Sequence, residues 1–166
     1  MAYESTGFKG LTEAQSDLIA HWKGRGIGML PPAREQLDPG AIRAHLSSIS
    51  IVEIGQYGRA RFRLAGSALR AIFGREMRGR FLSDLDQEIF EMWSLGLSRV
   101  LDQRRPIGGL IERDADVHAW LRLPLQNGPT GAMVLCHDSL IPNARFRNQC
   151  STGSYKKKVF VNNIAA

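Results

Sequence analysis

Arg61-Phe62-Arg63-Leu64-Ala65-Gly66-Ser67 runs into Ala68-Leu69-Arg70-Ala71-Ile72-Phe73-Gly74, and then through Arg75-Glu76-Met77-Arg78-Gly79-Arg80-Phe81-Leu82-Ser83-Asp84-Leu85. From Arg59 onward the alternation is strict: Arg59, Arg61 and Arg63 share one parity, and Ala60, Phe62 and Leu64 share the other. Successive strand side chains point to opposite faces, so the pattern predicts an antiparallel strand with one wet side. Ser67 is placed to cap a helical turn over 68–73, which Gly74 closes. Asp84, with Gln87 three residues on, opens the longest helix, over 85–103. Ile89, Trp93, Leu97 and Val100 recur along it at helical spacing as an apolar stripe.

Working outward toward the N-terminus, Gln56-Tyr57-Gly58 supplies a hairpin turn back to the β-branched run Ile49–Ile54, the first strand. Asp38-Pro39 reads as a helix start, with Ile42 and Leu46 on its buried side. Pro31-Pro32 makes an extended connector. Before it, Thr12 and Gln15 have capping-box spacing for a helix whose apolar face is Leu11, Leu18, Ile19 and Trp22, ended by Gly24 and Gly26. Toward the C-terminus, Pro106 stops the long helix, and three strands are expected over 107–113, 118–125 and 130–137. The fold class is therefore α+β: a five-stranded antiparallel sheet with short helices, one long helix and an additional N-terminal helix. Residues 1–10 read as a disordered N-terminus, 11–142 as one domain and 143–166 as a flexible basic tail.

At 166 residues, 43% hydrophobic and 23% charged, the composition suits one soluble globular domain. No apolar run is long enough to span a membrane, and Met1–Gly10 lacks the pattern of a secretory signal, so the expected location is cytoplasmic, with no membrane partner. Cys136 lies in an apolar run and Cys150 in a polar tail, which makes neither a disulfide framework nor a zinc site. The net charge of +6 comes partly from Lys156-Lys157-Lys158 and largely from dispersed arginines. It permits contact with nucleic acid without demonstrating it.

The order of these motifs resembles the PAS superfamily, and within it a bacterial family of stand-alone PAS-like proteins. The likeness rests on His21-Trp22-Lys23, Pro32-Ala33-Arg34, Leu37-Asp38-Pro39, Phe62-Arg63-Leu64-Ala65-Gly66-Ser67 and Phe73-Gly74-Arg75-Glu76-Met77-Arg78-Gly79-Arg80. The resemblance implies a sheet cupping a cavity beneath the long helix. It also implies binding of small molecules or partner proteins, and homodimers joined through an N-terminal helix. Leu11, Leu18, Ile19 and Trp22 are then the candidates for a dimer-forming or sheet-covering face. Some members of the superfamily hold flavin and use a cysteine just before the long helix; the matching stretch here, Gly79-Arg80-Phe81-Leu82, has no thiol.

No cofactor is named by the sequence. Haem would need an axial ligand, and none of His21, His45, His118 and His137 lies on the long helix. No cysteine, histidine or carboxylate cluster has metal spacing. Asp114 and Asp116 fit a solvated hairpin. Gly24-Arg25-Gly26-Ile27-Gly28 lacks the strand before it and the Lys-Ser/Thr after it that a phosphate loop needs. No serine elbow is present, and no catalytic residues are assigned.

Phe62, Leu64, Phe73, Trp93, Leu97, Leu121 and Leu123 are candidates to line a ligand cavity, against the plainer reading that they are core. Trp120 shares parity with His118 and Arg122, which places it under the N-terminal helix, with Leu121, Leu123 and Leu125 facing the other way. Arg59, Arg61, Arg63, Arg75 and Arg78, beside Arg80, form either a solvated face or a surface for anions or an acidic partner, because guanidinium forks suit carboxylates and phosphates. The expectation is a non-enzymatic sensing or protein-interaction module, homodimeric, with a protein partner in signalling and a possible small-molecule ligand. The alternative is a basic nucleic-acid-associated protein using the arginine stripe and lysine tail.

Overall fold

The computed structural model describes residues 12–142 and the backbone of 160–161. Five strands, β1 (Ile49–Ile54), β2 (Ala60–Ala65), β3 (Ile107–Glu112), β4 (Asp116–Pro124) and β5 (Ala132–Pro142), pair antiparallel in the order β2-β1-β5-β4-β3. A two-residue strand, β6 (Phe160–Val161), adds to the free edge of β3. Helix α1 (Glu13–Arg25) lies on one face of the sheet. The short α2 (Arg70–Phe73) and the long α3 (Gln87–Gln103) lie on the other. Leu11, Cys150 and the expected disordered start fall outside the described residues, as does the basic tail apart from β6.

Two cores result. On the α3 face, Trp93, Leu97 and Val100 pack with Phe62, Met77, Trp120, Val134 and Cys136. On the α1 face, Leu18 and Ile19 pack with Ile49, Ile51, Leu121, Leu123, Leu125 and Leu135. The sheet is thus covered on both sides, and β4 is buried continuously from Val117 to Pro124. The wet side expected of β2 is confined to that edge strand, where Arg59, Arg61 and Arg63 are exposed.

Trp120 sits with α3, not under α1, and Leu121, Leu123 and Leu125 take the α1 face. The alternation of β4 was correct, but parity fixes which residues share a face without saying which helix covers it. A β-bulge accounts for a second difference. Ile51 pairs with Leu64 while Val52 pairs with Phe62, which leaves Arg63 as an extra residue in β2. A single inserted residue reverses the parity beyond it. Phe62 therefore joins the α3 core, whereas Leu64 packs on the α1 side.

Capping differs in three places. Asp38 Oδ1 accepts from the Gly40 amide (2.9 Å), making a tight turn, and the helical residues that follow are a 3₁₀ segment, Arg43–Ser48. Ser67 lies inside its helical turn, after Gly66 at the cap. Asp84 ends a 3₁₀ turn and receives the Phe81 amide, and Asp86 stands before α3. Thr12 does cap α1, accepting the Gln15 amide at 3.2 Å.

Gly66 has an ordinary φ of −67°. Its backbone abuts the carbonyls of Leu46 and Ser47, and an added Cβ would overlap the Ser47 oxygen. Replacing Gly66 with Ala is expected to cost about 2–4 kcal/mol, as overpacking against backbone does. Gly24→Ala, in open space within α1, is expected to add up to about 1 kcal/mol. Denaturant unfolding of the two variants checks both signs.

Candidate functional site

On the α3 face of β4, the side chains in register are His118, Trp120 and Arg122. Asp138 of β5 lies directly opposite Trp120, so the polar pair of β4 flanks it on either side. Arg122 grips the Asp138 carboxylate with both terminal nitrogens, Nη1 to Oδ2 at 3.0 Å and Nη2 to Oδ1 at 3.1 Å. His118 Nε2 meets Oδ1 at 2.7 Å, and because a carboxylate only accepts, this nitrogen carries the proton. Arg122 and Asp138 are both about 1% exposed, so the pair is withdrawn from water. Its guanidinium lies 3.8 Å from the Trp93 ring centre and 5.3 Å from that of Trp120.

Helix α3 can come this close because position 96 is glycine. A Cβ there would already sit 3.3 Å from the Trp120 ring and 3.6 Å from Arg122 Cγ. Beside Arg122, Phe62 packs edge to face on Phe73 and Trp93, which are tilted against each other, with ring centres 5.3–5.8 Å apart. The network still leaves three buried N–H donors, Trp93 Nε1, Trp120 Nε1 and Arg122 Nε, with no acceptor among the described residues. Such donors are uncommon in folded interiors and call for an explanation.

Of the seven cavity candidates, the structure brings together Phe62, Phe73, Trp93 and Leu97. It puts Leu64, Leu121 and Leu123 on the opposite face, beyond reach of the same space. Sequence reasoning missed Arg122, His118 and Asp138 as a unit. The available signal was two polar residues, His118 and Arg122, at same-face positions in the otherwise apolar run 117–124.

On the other face, Leu18 and Ile19 are buried against the sheet, and Trp22 Nε1 donates to the Pro124 carbonyl at 2.7 Å. These candidates for a dimer face serve as sheet cover within the chain. Near them a cleft of about 610 Å³ is lined by Arg34, Glu53, Arg63, Gln126, Asn127 and Met133 among others. Glu53 is buried there, held by Thr130 through its hydroxyl and amide and by Arg63 Nε. Hydrogen bonding by Thr130 first, and then Arg63 against the penalty of burial, keeps the Glu53 carboxyl below its usual range. Arg63 is thereby separated from its neighbours in the predicted stripe.

Arg59 and Arg61 remain at the β2 edge, their guanidinium groups 4.1 and 5.8 Å from the Phe81 ring centre. Arg61 Nε donates to the Gly79 carbonyl and Arg80 Nε to that of Glu76. On the same turn, the Glu76 carboxylate is engaged by Arg70 and by the Arg78 amide. Arg75 and Arg78 are exposed on the same turn. Among the described residues there is no group of three or more His, Cys, Asp or Glu that could hold a metal ion, and no helix long and apolar enough to cross a membrane. Burial pushes the free Cys136 thiol up to about 12, as befits a core residue.

The PAS domain family profile matches residues 11–107, more than half of the chain, and the chain belongs to that family. The match ends where β3 begins, and the three strands beyond it complete the expected sheet. No curated protein and no solved structure matches the chain.

Three buried groups, His137, Asp138 and Glu53, make stability depend on acidity, Glu53 in the same sense as Asp138. His137, on the α1 face, is pushed down to about 4, chiefly by burial, which outweighs the pull of Asp138. Its unfolded value is about 6.5, so on acidification the unfolded chain takes up this proton first. Stability present above pH 6.5 is therefore lost down to about pH 4, by about 3 kcal/mol in all. Burial alone would raise Asp138, but Arg122 and then His118 hold it below its ordinary value. Its contribution is likewise present at neutral pH and falls away in more acidic solution, through the carboxylate range. The melting temperature should decline in two stages as pH is lowered, and His137→Leu should remove the first stage only.

Proposed function

We propose that this PAS domain is a non-enzymatic sensing module whose α3-side core admits a small molecule bearing carbonyl or carboxylate oxygens. The observation that carries the reading is the set of three acceptor-less donors, Trp93 Nε1, Trp120 Nε1 and Arg122 Nε, gathered around one guanidinium. Oxygen acceptors would satisfy them, and the indole and phenyl rings would cover the remainder of a small ligand. Trp93 and Phe62 are fully buried, whereas Phe73 is half-buried on a four-residue helix. Phe73 is thus the ring best able to move aside and admit the molecule.

In this reading, binding shifts α2 and α3 against the sheet, and a protein partner reads the shift. A ligand moves such an equilibrium only by its differential affinity for the two arrangements. The module acts in the cytoplasm as a homodimer. With Leu18, Ile19 and Trp22 engaged inside the chain, the dimer contact falls on the outer side of α1 or elsewhere.

Native mass spectrometry of freshly purified protein should show a small-molecule adduct that is released on denaturation and absent from a Trp93→Phe, Trp120→Phe variant. An adduct-free wild type that also shows no thermal shift with a panel of small carboxylates would end this reading.

The arginine edge supports a second reading, an acidic protein partner. The Phe81 ring pre-positions Arg59 and Arg61, and the Gly79 carbonyl holds Arg61 further, without neutralising either. A labelled poly-glutamate peptide should bind the wild type at low salt and be lost with Arg59→Glu and Arg61→Glu. Retention of single-stranded RNA in place of the peptide would favour the nucleic-acid alternative.

A further inference from the structure

Directly after α1 the chain makes a tight knuckle, Ile27-Gly28-Met29-Leu30. The Ile27 amide donates to the Leu30 carbonyl (3.2 Å) and the Leu30 amide to the Ile27 carbonyl (3.0 Å). Gly28, at φ +61°, permits this two-residue reversal. Gly26 lets the knuckle fold back on the end of α1, since a Cβ there would lie 2.8 Å from the Leu30 oxygen. Pro31 and Pro32 stiffen its exit.

Such a braced turn would ordinarily carry polar residues. Here it presents three large apolar side chains to solvent: Ile27 is 69% exposed, Leu30 63% and Met29 fully. They make up three of the five large hydrophobic side chains exposed among the described residues. The surroundings of the knuckle are basic. Lys23 and Arg104 line the same shallow depression as Met29 and Leu30, beside Trp22. Neither has an acidic partner among the described residues, while Arg25 has only the loose, exposed contact with Asp38 at 3.6 Å.

We propose that this knuckle is a membrane-docking element, its apolar tip entering the interface of an anionic bilayer while Lys23, Arg25 and Arg104 meet the lipid headgroups. The charge pattern selects this occupant. A protein pocket for an apolar knob requires no cationic collar, whereas an apolar tip ringed by basic residues matches the layered chemistry of an acidic leaflet. The chain's net charge of +6 acts in the same direction at longer range. Peripheral docking of this kind needs no spanning helix, and it stands independently of any ligand beneath α3.

The test is co-sedimentation of the full chain with vesicles of phosphatidylserine and phosphatidylcholine in equal parts, and with vesicles of phosphatidylcholine alone. The wild type should bind the anionic vesicles and not the neutral ones. Met29→Asp with Leu30→Asp should weaken binding roughly tenfold, because binding scales with the apolar area inserted. Lys23→Glu with Arg104→Gln should weaken it about fivefold per charge removed at low salt. All four positions are at the surface, so melting temperatures serve as the folding control.

A third variant, with Lys156, Lys157 and Lys158 changed to Gln, separates the tail from the knuckle. Binding that disappears with the tail lysines but ignores the knuckle changes overturns the proposal, as does equal binding to both kinds of vesicle. Absence of binding overturns it too. If light scattering instead shows self-association that Met29→Asp with Leu30→Asp abolishes, the knuckle's occupant is a second copy of the chain and the membrane assignment is wrong.

Discussion

The structure depends on keeping one carboxylate, Asp138, charged in a place without water. A buried ion is tolerable only when its partners meet it in good geometry, because removing it from solvent costs more than a single contact returns. Arg122 and His118 supply those partners from positions on either side of the residue facing Asp138. A slip of one residue between β4 and β5 would turn Asp138 toward Leu18 and Leu121, with no cation to meet it. The ion pair thus specifies strand register. The same guanidinium then sets α3, since its face stacks on Trp93 and Gly96 allows the approach.

Much of this architecture was legible in the chain. The alternation around Phe62, the stripe from Ile89 to Val100 and the stops at Gly74 and Pro106 placed strands and helices within a few residues of where they lie. What remained hidden follows from physics that a linear pattern does not carry. The bulge at Arg63 reverses parity without altering composition, so Leu64 was grouped with Phe62 although a sheet divides them. The faces of β4 were correctly sorted but assigned to the wrong helices, because alternation has no knowledge of what covers it. Asp38 and Asp84 have the chemistry of helix caps but spend it on tight turns nearby.

The candidate site was half visible for a related reason. Its aromatic members, Phe62, Phe73 and Trp93, were readable as large residues on buried faces. Its ionic members were not, because His118, Arg122 and Asp138 become a unit only once two strands are paired. Arg63 illustrates the converse. It shares a parity with Arg59 and Arg61, yet its partner Glu53 removes it from their surface.

The tryptophan peg at the end of α1 limits how this module could pass on a message. Trp22 is bound to the backbone of β4 through the Pro124 carbonyl, and Leu18 and Ile19 are sealed against the same sheet. Exposing those two aliphatic side chains alone would cost about 1.5–3 kcal/mol each. Helix α1 is therefore poorly suited to act as a latch that swings free. Output through it would take the form of a small roll or slide across the leucines of β4, with the indole as the pivot.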